Sequence, residues 1–401
     1  MKSLVLKPTI RDEGQFRVYT WSNANLEHKE ENKQKQEQGE RIQQTARGQL
    51  PLPDLQLSTY QSWDDVGRWY ANLQRDRVKP SAEIQAKAAE LTKGASDDLA
   101  KIRALYNFVS TRYRYIGIAF GIGRYQPHSA ADVLENQYGD CKDKHTLLAS
   151  MLYAVGIRAY PAHISSVRDI DAEVPSPGQF DHVITAVQQG NGLVWLDTTA
   201  EVGPFAYLVP PLRDKRALVI PDDKPSELLT SPADPPFQAL QAFRMEAKLN
   251  DNGTLEGKVE HTVRGDREVL LRAAFRVVAF PQWKEVVQQL SYGAGFGGEV
   301  SEVSASAPEK TDEAFHISYN YKRKDYSDWS NRRITPPLPM ISLPDLGDES
   351  KPPSTIWLGA PGEIQFRARL ELPKGYVPQL LSSSPQDVGL SATGLQRYFA
   401  E

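Results

Sequence analysis

Tyr138-Gly139-Asp140-Cys141-Lys142-Asp143-Lys144-His145 opens the stretch whose reading decides the fold, and Leu147, Leu148, Met151, Leu152 and Val155 follow it before Gly156. Apolar spacings of one, three and four predict a buried helix of about four turns, with Cys141 in its first turn and Gly156 as its stop. Cys141 is the only cysteine of the chain, so no internal disulfide can form. A lone thiol is often an inert core residue, and seven positions back from Leu148 does place Cys141 on the buried side of the helix. The same position suits a nucleophile facing a second layer. The free N–H groups and the dipole of a helix start favour the thiolate, and a nearby imidazole favours it further.

Downstream the pattern changes to strands. Ile157 to Ile164 reads as one, expected at an edge or interrupted because Pro161 lacks an N–H. A polar, proline-bearing loop runs from Arg168 to Gly178, and strands over 180–187 and 193–197 flank the turn sequence Gln188-Gln189-Gly190-Asn191-Gly192. Alternation puts Phe180, His182 and Ile184 on one face. A histidine on such a face is most often a satisfied core residue, and Asp197, closing the second strand, reads alone as a turn residue. Together they make a different case: a tight hairpin brings His182 and Asp197 onto neighbouring strands, where a carboxylate can hold an imidazole that serves a thiol.

These three segments resemble a family. Tyr138 to His145 with Leu147-Leu148 and Gly156-Ile157 is similar to the nucleophile motif of the transglutaminase-like superfamily. Phe180-Asp181-His182-Val183-Ile184 resembles its histidine motif, and Trp195-Leu196-Asp197-Thr198-Thr199 its aspartate motif. The stretch from Tyr115-Ile116-Gly117-Ile118 to Tyr125-Gln126-Pro127-His128 resembles the lead-in of a bacterial subgroup whose core lies between β-rich domains of unknown function. The resemblance implies an α+β, papain-like fold: a nucleophile helix packed on an antiparallel sheet. It also implies Cys141 as nucleophile, His182 as base and Asp197 as the orienting carboxylate. An oxyanion needs two donors; the N–H of Cys141 is the natural first, and Gln126 and Tyr115 are the candidates for the second, with a turn role before Pro127 the alternative for Gln126. His128 and His145 are placed near the cleft or in surface and capping roles, and Lys142, Asp143 and Lys144 at the helix start.

Working outward, Ser62 and Asp65 open a helix carrying Val66, Trp69, Tyr70 and Leu73. A second runs from Ser81 to Gly94, and a third starts at Ser96 with Asp97 and Asp98. Residues 1–26 alternate weakly and read as short strands; 27–48 are strongly polar and read as a solvated loop. Prolines cluster over 204–236 and mark a boundary. Beyond it Phe243, Met245, Ala247 and Leu249 alternate up to Asp251-Asn252-Gly253, and Leu255 to Val263 alternate after it, a β-hairpin. One or two helices near 266–291 and further strands around 315–321 and 364–370 complete a β-rich C-terminal domain, read as a β-sandwich. The expected domains are 1–58, a partial β-rich N-terminal portion; 59–230, the catalytic core; and 231–401.

A chain of 401 residues with 28 Pro and 27 Gly accommodates several turn-rich domains. The net charge of -4 argues against general nucleic-acid binding. No long apolar run is present to span a membrane, and no metal or cofactor motif stands out. Met1 to Arg11 has no apolar leader segment and reads as the middle of a β-rich region, so a longer N-terminus is expected. The resemblance implies export or a periplasmic location. The expected function is an acyl-thioenzyme reaction on a protein or peptide amide, resolved by water in a peptidase or amidase, or by an amine in acyl transfer. The alternative is a catalytically silent module that binds protein or glycan.

Overall fold

The computed structural model describes residues 2–3, 7–22, 52–117, 121–326, 334, 337–339, 361–376, 389–390 and 394–395; the polar stretch 27–48 lies outside them. The chain divides into two compact units between Asp234 and Pro235.

In the first unit, strands β1 (Lys2–Ser3), β2 (Thr9–Glu13), β3 (Phe16–Thr20) and β4 (Leu55–Gln56) form two small antiparallel pairs, β1 with β4 and β2 with β3. Three helices follow, α1 (Trp63–Gln74), α2 (Ala82–Thr92) and α3 (Asp98–Arg112). Each starts on a side chain that takes up an orphan N–H: Ser62 from Asp65, Ser81 from Ile84, Asp97 from Ala100. Strand β5 (Arg114–Tyr115) pairs in parallel with β6 (Tyr138–Gly139), and α4 (Ala130–Asn136) lies between them in sequence. Helix α5 (Cys141–Ala154) leads into a five-stranded antiparallel sheet made of β7 (Ala159–Ile164), β8 (His182–Gln189), β9 (Gly192–Leu196), β10 (Arg216–Val219) and β11 (Glu227–Thr230), in the order β11-β10-β7-β8-β9.

Helix α5 is sandwiched. Its Leu147, Leu148, Met151 and Leu152 pack with Ala159, Val187 and Leu196 of the sheet and with Ile84, Ile102, Leu105 and Tyr106 of α2 and α3 in one core. The other sheet face carries Tyr160, Ala162, Ile164, Ile184, Ala186 and Trp195, covered by Leu208 and Leu212. With both sides covered, every residue from Lys142 to Leu152 is buried, polar ones included.

Two expectations need correction. Pro161 lies in β7, a central strand. Regular pairing with β10 extends only from Ala162 to Ile164, and the Pro161 carbonyl accepts from Ile220 just past the end of β10, so the missing N–H costs no bond of the regular ladder. Phe180 and Ile184 are on opposite faces: Phe180 packs with Val66, Tyr70, Leu218 and Ile220, whereas Ile184 belongs to the Trp195 side. Alternation fails because the Asp181 N–H donates to the carbonyl of Ile164, the cross-strand partner of His182, so two residues oppose one as in a bulge.

The second unit has a five-stranded sheet in the order β14-β15-β13-β12-β16, built from β12 (Ala239–Leu249), β13 (Leu255–Arg264), β14 (Glu299–Ala305), β15 (Phe315–Arg323) and β16 (Gly362–Glu371), and a separate antiparallel pair, β17 (Gly389–Leu390) with β18 (Gly394–Leu395). The β12–β13 hairpin turns through Gly253 at φ 80, and β16 adds in parallel to β12. Helices α6 (Asp266–Val277) and α7 (Trp283–Gly293) pack Leu271, Phe275 and Val287 on Phe243, Met245, Val259 and Phe315. Among the described residues this is a sheet backed by helices, not two facing sheets.

Candidate active site

The site begins with the way α5 starts. Gly139 precedes the cap because a Cβ there would meet the Cβ of Asp143 at 2.6 Å. Asp140 is the N-cap: its Oδ1 accepts the N–H groups of Lys142 (3.1 Å) and Asp143 (3.3 Å), and Asp143 Oδ2 accepts the Asp140 N–H (3.2 Å), closing a capping box. Asp143 also holds His128, through its N–H (2.8 Å) and its Nδ1 (3.1 Å). The ammonium of Lys142 pairs with Asp140, both buried. Burial, then the like charge of Asp143, raises the Asp140 pKa against the pull of Lys142. The N–H of Cys141 is left unpaired by this scheme among the described residues.

Cys141 is half-buried. The imidazole of His182 lies close enough to feel the charge of the Cys141 sulfur, and Nε2 of His182 lies 3.2 Å from Oδ2 of Asp197, leaving Nδ1 as the ring nitrogen for the thiol. Asp197 Oδ1 accepts from the Thr199 N–H (2.9 Å) and hydroxyl (2.7 Å), which fixes the carboxylate. Burial pulls the imidazole pKa of His182 down, but the charge and hydrogen bond of Asp197, with Cys141, outweigh it and hold it well above 6.5. For Asp197, burial works upward and is overcome by His182 and the Thr199 bonds, so the carboxyl sits below its ordinary value. The three sequence-derived residues are therefore brought together.

Of the two oxyanion candidates, Tyr115 ends β5 opposite Gly139 of β6. It is 45% exposed, its N–H donates to Glu201 Oε1 (2.6 Å), and burial followed by the charges of Cys141, Asp140 and Asp197 pushes its phenol up to about 12. Gln126 closes a turn, its N–H donating to the Ile122 carbonyl at 2.9 Å. His145 is an internal bridge: Nδ1 is 2.8 Å from Thr185 Oγ1 and Nε2 3.0 Å from Gln74 Nε2, and burial lowers its pKa to about 3. Lys144 donates to the carbonyls of Tyr113 (2.6 Å) and Ser110 (3.3 Å).

Sequence reasoning gave no site role to Tyr70, placed on the first helix, or to Thr199, quoted within the aspartate motif, and did not name Gln74 or His163. Tyr70 and Gln74 carry one usable signal, an i, i+4 pair of polar-tipped residues on the buried face of α1. Among the described residues no cluster of three or more His, Cys, Asp or Glu side chains is arranged to hold a metal ion. No helix among them is long and apolar enough to cross a membrane.

A thiol at a helix start laid on an antiparallel sheet that carries an imidazole and a carboxylate defines the papain-like class of α+β folds. Residues 85–195 match the family model of the transglutaminase-like superfamily, so this stretch is a transglutaminase-like domain; it contains Cys141 and His182 and ends just short of Asp197. Comparison with curated proteins gives no match. Among solved structures the chain is similar to that of a "putative protease" from Parabacteroides distasonis, at 10% identity and TM-score 0.46, covering 80% of this chain and 62% of that one. It is also similar to a "putative cysteine protease" from Cytophaga hutchinsonii, at 17% identity and TM-score 0.26, covering 38% of this chain and 50% of that one.

Proposed function

We propose that this chain is a thiol enzyme that forms an acyl-thioenzyme on an amide of a protein or peptide, with Cys141 as nucleophile, His182 as base and Asp197 as its orienting partner. The observation that carries the reading is the pair beside the start of α5: Nε2 of His182 held by Asp197 at 3.2 Å, with the imidazole within the charge environment of the Cys141 sulfur. In the forward step the sulfur attacks the acyl carbon, the thiol proton passes to His182, and the carbonyl electrons move to oxygen. The tetrahedral adduct collapses as His182 returns the proton to the departing amine. Water or a second amine then attacks the thioester, with His182 again accepting and donating the proton. Asp197 holds the ring in the tautomer that presents Nδ1 to sulfur. The unpaired Cys141 N–H supplies one oxyanion donor. Tyr115 is the better supported of the two sequence candidates for another, since its phenol shares the charge environment of Cys141.

The test measures alkylation of Cys141 by iodoacetamide at neutral pH against free cysteine, then release of ammonia or amine and uptake of a labelled amine on a peptide panel. Faster alkylation with turnover on either branch supports the reading. Alkylation no faster than free cysteine, with no turnover, sinks it.

A further inference from the structure

We propose that His145 is a positioning residue for Cys141 and His182: its bond to Thr185 sets where the nucleophile helix lies along the strand that begins with the base. The inference rests on the thiol-enzyme reading above and adds to it a residue that acts through others, not on the reacting atoms.

His145 stands one turn after Cys141 on α5, so the two side chains rise from the same face of one helix. Its Nδ1 lies 2.8 Å from Oγ1 of Thr185 on β8, a residue 40 positions further along the chain. Thr185 comes three residues after His182, the first residue of β8, and pairs with Leu196 of β9, the residue before Asp197. One bond therefore joins the helix that carries the thiol to the strands that carry the imidazole and the carboxylate. On its other side the ring is held too, Nε2 lying 3.0 Å from Nε2 of Gln74 on α1. Around this bond the packing of α5 on the sheet is apolar, Leu147 and Leu148 against Val187 and Leu196. Hydrophobic burial is non-directional, whereas a hydrogen bond weakens steeply away from its preferred length and angle. Tyr153 supplies a directional contact at the far end of α5, its hydroxyl donating to the Ala159 carbonyl at 2.7 Å. His145 supplies one at the end where Cys141 stands.

His145 and Thr185 are each 1% exposed, so their bond forms out of the reach of water. Burial also holds the imidazole pKa down to about 3, which keeps the ring neutral at any working pH. A neutral imidazole has one donor and one acceptor, and a hydroxyl and a primary amide each take either role, so both bonds form in either tautomer. The ring is thus a fixed linker and not a second base. Proton transfer between thiol and imidazole needs a set geometry, and a misplacement of about 1 Å caused far from the chemistry costs up to about 100-fold in rate.

The experiment compares wild type with Thr185→Val, which keeps the branched shape and deletes the hydroxyl, and with Thr185→Ser, which keeps the hydroxyl. Neither substitution changes a titratable group. Two probes are used on the full chain. With iodoacetamide, the Cys141 sulfur bonds the methylene carbon and displaces iodide, and the rate is followed against pH. With 4-nitrophenyl acetate, the sulfur bonds the acetyl carbon, His182 takes the thiol proton, and the ester C–O bond breaks to expel 4-nitrophenolate. Thr185→Val is expected to move the alkylation profile toward that of free cysteine and to slow acylation about 10-fold or more. Thr185→Ser is expected to stay within about twofold of wild type in both. His145→Phe, which keeps a ring but neither nitrogen, reads the bond from its other end and should match Thr185→Val; where only one of the two folds, that one decides. A wild-type profile and acylation rate in the deciding variant overturn the proposal, whatever happens to its melting temperature. Disagreement between the two variants, an equal loss in Thr185→Ser, or failure of both to fold also overturns it, because the bond would then serve stability and not position. If wild type alkylates no faster than free cysteine and forms no acetyl adduct, the thiol-enzyme reading itself fails and this one with it.

Discussion

Nε2 of His182 lies 3.2 Å from Oδ2 of Asp197, with 13% of the histidine side chain and 2% of the aspartate side chain exposed. The pair raises the imidazole pKa and lowers the carboxyl one. For His182 the folded value exceeds the unfolded 6.5, so the native state holds the proton longer than the unfolded chain. Its contribution to stability is complete below pH 6.5 and is lost as pH rises through the folded value. The unfolding free energy of the wild type is therefore expected to fall from neutral into alkaline pH. Asp197→Asn removes the charge that raises the imidazole, leaves burial to lower it, and should flatten that slope. Urea unfolding of both proteins across this range reads it out, and equal slopes would contradict the assignment.

The relay predicts kinetics that are not additive. Cys141→Ala should abolish acyl-adduct formation while changing stability by no more than about 1 kcal/mol, since a half-buried thiol packs little. His182→Ala should lower kcat/KM by about 10³-fold or more, and the double variant no further than Cys141→Ala. Asp197→Asn should cost less than His182→Ala, because the imidazole survives in a less favoured tautomer. Single-turnover acylation on one ester substrate ranks the variants; wild-type rates for Cys141→Ala would refute the mechanism.

Gly139 is expected to tolerate no side chain. An added Cβ would stand 2.6 Å from the Cβ of Asp143, the residue that closes the capping box and holds His128. Gly139→Ala should destabilise by about 1–3 kcal/mol and slow alkylation of Cys141, whose position depends on that helix start. Unfolding within a few tenths of a kcal/mol of wild type would mean that the start of α5 can shift freely.

Each unit has a core of its own, the first around Leu148 and Ile102, the second around Phe243 and Phe315. A chain ending at Asp234 is therefore expected to unfold in a single cooperative transition and to keep the iodoacetamide reactivity of Cys141. Calorimetry on the shortened chain decides this. A broad, non-cooperative melt would show that the two units fold together.

What the sequence by itself determined is local. Ser62, Ser81, Asp97 and Asp140 start their helices because a short polar side chain satisfies N–H groups two or three residues on, a relation contained in a few consecutive residues. The hairpin through Gly253 is legible for the same reason, and so is the order of the Cys141, His182 and Asp197 segments. Tertiary structure decided what lies across the chain. Lys142, Asp143, Lys144 and His145 read as polar and are buried, because α2 and α3 cover the side of α5 that the sheet does not. Pro161 sits in a central strand because the neighbouring strand stops beside it. Gln74 of α1 meets His145 of α5, a contact between residues 71 apart in the chain that no local pattern states. Hydrophobic periodicity states which face of an element is buried; it carries no information on which other element covers that face, and the partners of every buried polar group follow from that second choice.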